Sequence, residues 1–180
     1  MDSSRRTLLK VGAAGAALLA LGGIGLTLQP THEVAPQEPL RAFDPRAFSI
    51  LAAVAETICP GGDDLPTAHE AEVAEKIDAL FYQLSPAATV ELSQLLRLLE
   101  NALAGLFLDL RPRPFTACSP ATRARVLEAW RTSRLATRRA GFKALCGLCN
   151  AAYWGTPATW GHTGYPGPSD FSDQLQGTGG

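Results

Sequence analysis

Asp44-Pro45, Ser85-Pro86 and Ser119-Pro120 each set a side chain able to cap a helix directly before a proline. The oxygen of the first residue can accept an orphan amide of the opening turn. The proline occupies the first helical position, where its missing N–H costs nothing. Each pair therefore marks a helix start. Thr67-Ala68-His69-Glu70 adds a fourth as a capping box, in which hydroxyl and carboxylate satisfy amides reciprocally. The 13 prolines and 17 glycines are too many to spread through regular elements, so they should punctuate them and enrich the chain ends.

Apolar periodicity fills the intervals between these starts. A first helix over 45–58 repeats Phe48, Leu51, Ala55 and Ile58, and Pro60-Gly61-Gly62 stops it. A second, over 68–84, aligns Val73, Ile77, Leu80, Phe81 and Leu84 opposite an acidic face. A third, over 86–110, carries Leu92, Leu95, Leu96, Leu99, Leu103, Leu106 and Phe107. A fourth, over 120–153, carries Val126, Leu127, Trp130, Phe142, Leu145 and Leu148, with a bend allowed at Gly141. No stretch alternates with β-branched enrichment, and no Asn-Gly hairpin signal occurs. The expected fold is all-α, an irregular bundle of about four main helices with an aromatic, Gly- and Pro-rich C-terminal loop.

Ahead of the bundle, Ser4-Arg5-Arg6-Thr7-Leu8-Leu9-Lys10 closely matches the bacterial twin-arginine export signal, with Leu8 where many signals carry Phe. The charge-free run Val11 to Leu28 would span about 27 Å as a helix, short of a hydrocarbon core of about 30 Å. It is a mediocre permanent span. Removal near residues 25–35 is the expected fate, with retention as an N-terminal anchor the alternative. The organisation expected is a signal segment over 1–28 whose export residues are Arg5 and Arg6, a Pro-rich linker over 29–43, a helical domain over 44–168 and a flexible tail over 169–180. Export by this route, through the twin-arginine translocase, places the mature protein in the periplasm, free or membrane-associated. The route carries folded proteins, typically those that hold a cofactor or ride with a partner that does.

With 16 Lys and Arg against 17 Asp and Glu, the chain is not a generally basic nucleic-acid binder, and it lacks an interleaved aromatic and basic groove pattern. Its charge is nevertheless segregated. Residues 41–110 hold 11 acidic and 4 basic side chains, and residues 111–143 hold 9 basic ones and only Glu128. Two uses are open: docking of the basic fourth helix on the acidic second, or an external acidic partner for Arg131, Arg134 and Arg138, which share a face at three and four residue spacing.

Four cysteines, Cys59, Cys118, Cys146 and Cys149, in a chain bound for an oxidising compartment allow up to two disulfides. Cys146-Gly147-Leu148-Cys149 is not a covalent haem site, because Asn150 stands where the axial histidine is required. A thioredoxin-like site wants its first thiol at a helix N-terminus beside strands, whereas this pair lies deep in a helix. Zinc would need two further ligands, and Cys59, Cys118, His69 and His162 lack ligand spacing. A disulfide, a buried thiol pair or a bond to another subunit remain open. His69, on a first turn among acidic residues, reads as exposed rather than as a general base. Nucleophile-elbow, dinucleotide and phosphate-loop motifs are missing. The residues thus mark no catalytic, cofactor or metal site.

Tyr153-Trp154 through Gly164-Tyr165-Pro166-Gly167-Pro168 is dense in rings, glycine and proline and follows neither helical nor strand period. Such rings must lie on the domain's own helices or on a partner, and Trp154, Trp160 and Tyr165 are the candidate anchors. At this terminus the chain resembles the small (gamma) subunit of gluconate 2-dehydrogenase and related membrane-associated, flavin-dependent sugar dehydrogenases. The resemblance spans about residues 45–168. It rests on the leader, on the Leu51-to-Pro60 helix with its Glu56-Thr57-Ile58-Cys59-Pro60 end, and on the aromatic terminus. It implies an FAD-bearing large subunit of the glucose-methanol-choline (GMC) oxidoreductase type and a multihaem cytochrome c that carries haem c. The small subunit holds neither cofactor; it supplies the export signal to a large subunit that lacks one and supports its stability. A single chain acting in the periplasm as a thiol-disulfide protein through Cys146 and Cys149 is the rival expectation.

Overall fold

In the computed structural model the described residues are 34–62, 64–101 and 113–166. They form six helices: α1 (Pro45–Ile58), α2 (Val73–Gln83), α3 (Pro86–Glu100), α4 (Pro120–Arg131), α5 (Ala136–Trp154) and α6 (Pro157–Thr163). No strand occurs among the described residues; Gly62 and Leu65 make one isolated bridge. The fold is all-α. The leader, with Arg5 and Arg6, and the tail lie outside the described residues.

The three cap-proline pairs start helices as their chemistry requires. Asp44 accepts the Ala47 amide at 2.8 Å, Ser85 the Ala88 amide at 3.4 Å and Ser119 the Thr122 amide at 3.4 Å. The capping box forms too, with the Thr67 amide and hydroxyl 2.7 and 2.9 Å from the Glu70 carboxylate, yet it closes only a tight turn over 67–72. Glu72 takes a left-handed backbone, φ 52°, that a continuous helix cannot pass through, so α2 starts five residues later than expected.

The predicted third helix ends at Glu100, because Asn101 turns extended; residues 102–112 lie outside the description. The predicted fourth helix is two. Thr132 donates its hydroxyl to the Glu128 carbonyl and Ser133 accepts the Leu135 amide, so these hydroxyls offer the backbone local bonds that compete with the helix between α4 and α5. Gly141 lies inside the unbroken helix α5. It lets the helix approach closely: a Cβ there would lie 2.7 Å from Leu95 Cδ1 and 3.1 Å from Trp130 Cζ3.

The centre of the bundle is α1, which packs against α2, α3, α4 and α5. Phe48, Ile50, Leu51 and Val54 are sealed from water, and Phe115, Trp130 and Leu145 close the core from the C-terminal half. Two buried carboxylates fasten irregular chain to this core. Asp78 accepts the amides of Arg41, Ala42 and Phe43 at 2.7, 3.0 and 2.8 Å, so the stretch before α1 is strapped to α2. Glu100 accepts the Thr116 amide at 2.9 Å and its hydroxyl at 2.6 Å, which holds the approach to α4. Satisfied in this way, buried carboxylates act as clips that fix loop position.

Candidate partner-binding surface

The C-terminal end of α5 divides its aromatic residues between inside and outside. Leu145, Cys149 and Tyr153 recur every four residues on one buried stripe. Tyr153 donates its hydroxyl to the Pro66 carbonyl at 2.6 Å, which locks the helix to the loop after α1. Trp154, the next residue, points the other way and is 40% exposed. Its indole N–H donates to Asn150 Oδ1 at 3.3 Å, and its ring meets Tyr153 edge-on at 5.1 Å.

Residues expected to be an irregular loop here form α6. Thr156-Pro157 repeats the cap-proline sequence without the capping bond, and Gly164 at φ 70° closes the helix with the left-handed residue such ends favour. Lys76 pins the junction, donating to Thr156 Oγ1 at 2.8 Å and to the Ala71 carbonyl at 2.6 Å. Thr159 is sealed and donates to the Thr156 carbonyl at 2.7 Å. Trp160 is half-buried and donates its indole N–H to the Trp154 carbonyl at 3.0 Å. Tyr165 stacks edge-on to Trp160 at 5.3 Å and is exposed. Trp154 ends α5, Trp160 lies on α6 and Tyr165 follows the Gly164 cap, so the three flank one short, well-anchored helix. Their rings are held by indole hydrogen bonds and edge contacts, so little ordering remains to be done on contact.

The arginine trio is not assembled. Arg131 ends α4 and makes a two-bond pair with Glu128 at 2.7 Å, Arg134 lies exposed in the connection, and Arg138 is buried in α5 over the Trp130 ring at 5.2 Å. The break at 132–135 removes the continuous helix that a shared face required. The Glu128 carboxyl is held below its usual range by the Arg131 hydrogen bonds. One ion pair joins the acidic and basic halves among the described residues, Arg123 to Glu56 at 3.1 Å. Arg123 also donates to the Thr116 carbonyl at 2.6 Å.

A second apolar surface escaped the periodicity argument. Leu80 and Leu84, assigned above to the buried stripe of the second helix, are exposed, as are Tyr82 and Val90 around the turn from α2 to α3. The buried face of α2 runs through Val73, Ala74, Ile77, Asp78 and Phe81, turned toward the strap that Asp78 holds, so Leu80 falls outside it; Leu84 caps the helix in extended backbone.

Three of the four cysteines converge. Cys59, at the end of α1, and Cys149 are buried, whereas Cys146 is partly exposed. All are free thiols. Burial pushes Cys59 up to about 11 and Cys149 up to about 12, and each is raised further by charge on a neighbour, Cys146 for the first and Cys59 and Cys146 for the second. Burial alone raises Cys146. These shifts run opposite to the lowered thiol that a thioredoxin-type nucleophile needs. Cys118 stands apart and donates to the Pro114 carbonyl at 3.3 Å. His69 is exposed on the capping-box turn, where Gln37 reaches its ring at 3.4 Å.

Among the described residues no group of three or more His, Cys, Asp or Glu side chains is arranged to hold a metal ion, and no helix is long and apolar enough to cross a membrane. The cavity lined by Val34, Phe48, Ala52, Ala68 and Glu75 measures about 20 Å³, room for about one water rather than a substrate.

The family model for gluconate 2-dehydrogenase subunit 3 matches residues 45–167, so the chain belongs to that family. It is thus an accessory subunit of a multi-subunit dehydrogenase. No curated protein and no solved structure matched the chain.

Proposed function

We propose that this chain is the non-catalytic small subunit of a periplasmic, flavin-dependent sugar or alcohol dehydrogenase. It supplies the twin-arginine signal for a GMC-type large subunit that lacks its own leader, and it stabilises that FAD-bearing subunit before and after export through the twin-arginine translocase. FAD and haem c belong to the partners, the latter to a multihaem cytochrome c. The observation that carries this reading is the family match over the whole helical domain, in a chain whose first residues include the Arg5-Arg6 export pattern. The contact surface is the α6 end, with Trp154, Trp160 and Tyr165 as anchors and the exposed Arg131 and Arg134 as a charged margin. The complex is membrane-associated, through its partners or a retained leader.

Co-expression with a GMC-type dehydrogenase subunit from the same genome tests this, with the two arginines replaced by lysine in a parallel strain. The wild-type pair should deliver dehydrogenase activity to the periplasm, and Arg5→Lys with Arg6→Lys should leave it in the cytoplasm. A dehydrogenase that reaches the periplasm without this chain would overturn the proposal.

A further inference from the structure

Cys59 sits where α1 hands over to the loop that the rest of the fold holds in place. The Ala68 amide donates to the Cys59 carbonyl at 3.2 Å, and Tyr153 reaches across from α5 to the Pro66 carbonyl. At Gly61, φ 77°, a Cβ would lie 3.0 Å from the Pro66 carbonyl oxygen, so this turn is tight as well as pinned. Cys149 lies one helical turn before Tyr153 on the same buried stripe, α1 packs against α5, and the thiols are close enough that charge on Cys59 acts at Cys149 and charge on Cys146 acts at Cys59. Cys146 is three residues from Cys149 and partly open to solvent. Two segments distant in sequence thus bring three thiols to the junction of α1 and α5.

Within α5 a bond between Cys146 and Cys149 is disfavoured by helix geometry. Residues three apart on a helix hold their Cβ atoms about 5–6 Å apart, and a disulfide needs about 3.5–4.5 Å. A thiol arriving from another segment has no such restriction.

We propose that these three cysteines form an oxidisable site in which Cys59 becomes disulfide-bonded to the Cys146/Cys149 pair, with Cys146 the first thiol to react. The oxidant is a disulfide, supplied by a small molecule or a thiol oxidase of an oxidising compartment. Cys146 as thiolate attacks one sulfur of that disulfide and releases the first reduced thiol. Cys59 as thiolate then attacks Cys146 Sγ in the mixed disulfide and releases the second. Two S–H bonds are lost and one S–S bond is made, and two protons and two electrons end on the oxidant's two thiols. Exchange with Cys149 moves the bond within the pair without changing that balance. The product ties the end of α1 to α5 and closes a long loop, which constrains the unfolded chain most. The site depends on the fold of this chain and not on any partner.

The test uses the purified full chain, reduced and then exposed to oxidised glutathione, trapped with N-ethylmaleimide, unfolded, digested and mapped by mass spectrometry. The expected product is a Cys59 peptide joined to the peptide that carries Cys146 and Cys149, with Cys118 and one thiol of the pair alkylated. The melting temperature of the oxidised chain should exceed that of the reduced chain by roughly 10 °C. Cys118→Ser should leave the product yield unchanged, and Cys146→Ser should slow its appearance at least tenfold. A Cys59 that stays alkylatable, a bond confined to Cys146 and Cys149, or disulfides only between chains would each overturn the proposal. So would a Cys146→Ser chain that oxidises at the wild-type rate. The wild-type map decides even if a variant fails to fold.

Discussion

Helices α1 and α5 divide the work of this molecule unequally. Eight of the 14 residues of α1 are buried, against five of the 19 in α5. The first helix is enclosed by four others, so nearly every face must be apolar or small. The last long helix buries a single stripe and leaves its other faces to water, Trp154 among them. The contrast puts the burden of stability on α1 and leaves the end of α5 and α6 free for the contact proposed above. Substitutions in α1 should therefore act on folding, and those at the end of α5 and on α6 should act on association.

Phe48→Ala is the severest way to probe the first half of that contrast. Phe48 is almost fully buried, and emptying such a site costs about 3–5 kcal/mol, a large share of the about 5–15 kcal/mol that holds a domain folded. Urea unfolding followed by circular dichroism measures it, and a loss under 1 kcal/mol would show that α1 is not the keystone.

The seam between the two helices should be sensitive to alkali. Cys59 and Cys149 have folded-state values raised to about 11 and about 12 from 9.0, so each binds a proton more tightly in the fold than in the unfolded chain. Their contribution is complete below about pH 9 and is lost as pH rises through the folded values, by at most about 1.4 kcal/mol per pH unit for each thiol. Reduced protein should lose stability steeply from pH 9 to 11, and Cys149→Ala should flatten that slope. An unchanged slope would remove the thiols from the seam.

Gly141→Val tests whether α5 is seated as closely as its glycine indicates. The added atoms meet Leu95 and the buried Trp130 ring, and overpacking of this kind costs about 1–3 kcal/mol. A neutral result in thermal melts would mean that α5 can move away freely. Trp154→Ala with Tyr165→Ala should do the least to the fold, within about 0.5 kcal/mol, because both rings are exposed. The same pair should weaken capture of the co-expressed dehydrogenase by about tenfold or more. A large loss of stability with intact capture would reverse the roles assigned to α1 and α6.

What could be read in advance was whatever a few adjacent residues decide. Asp44, Ser85 and Ser119 each fix a helix start because cap and proline act within one turn. The Thr132-Ser133 pair carried a readable break, but the apolar spacing on either side concealed it. Thr156-Pro157 carried the start of α6, obscured by the glycine and rings that follow. The surface was less legible. The exposure of Leu80 and Leu84 depends on neighbours far away in sequence, and the burial of Arg138 against Trp130 on the break that lets α5 pack on α4.

Sequence alone determined the helical class, the main helix starts, the acidic and basic halves and the absence of familiar catalytic motifs, because local dihedral preferences and composition suffice for these. Tertiary structure decided where α2 begins, which rings turn outward and which thiols meet. Those outcomes depend on distant groups competing for one buried space and one set of hydrogen-bond partners, as when Asp78 gathers three amides and Tyr153 claims the Pro66 carbonyl.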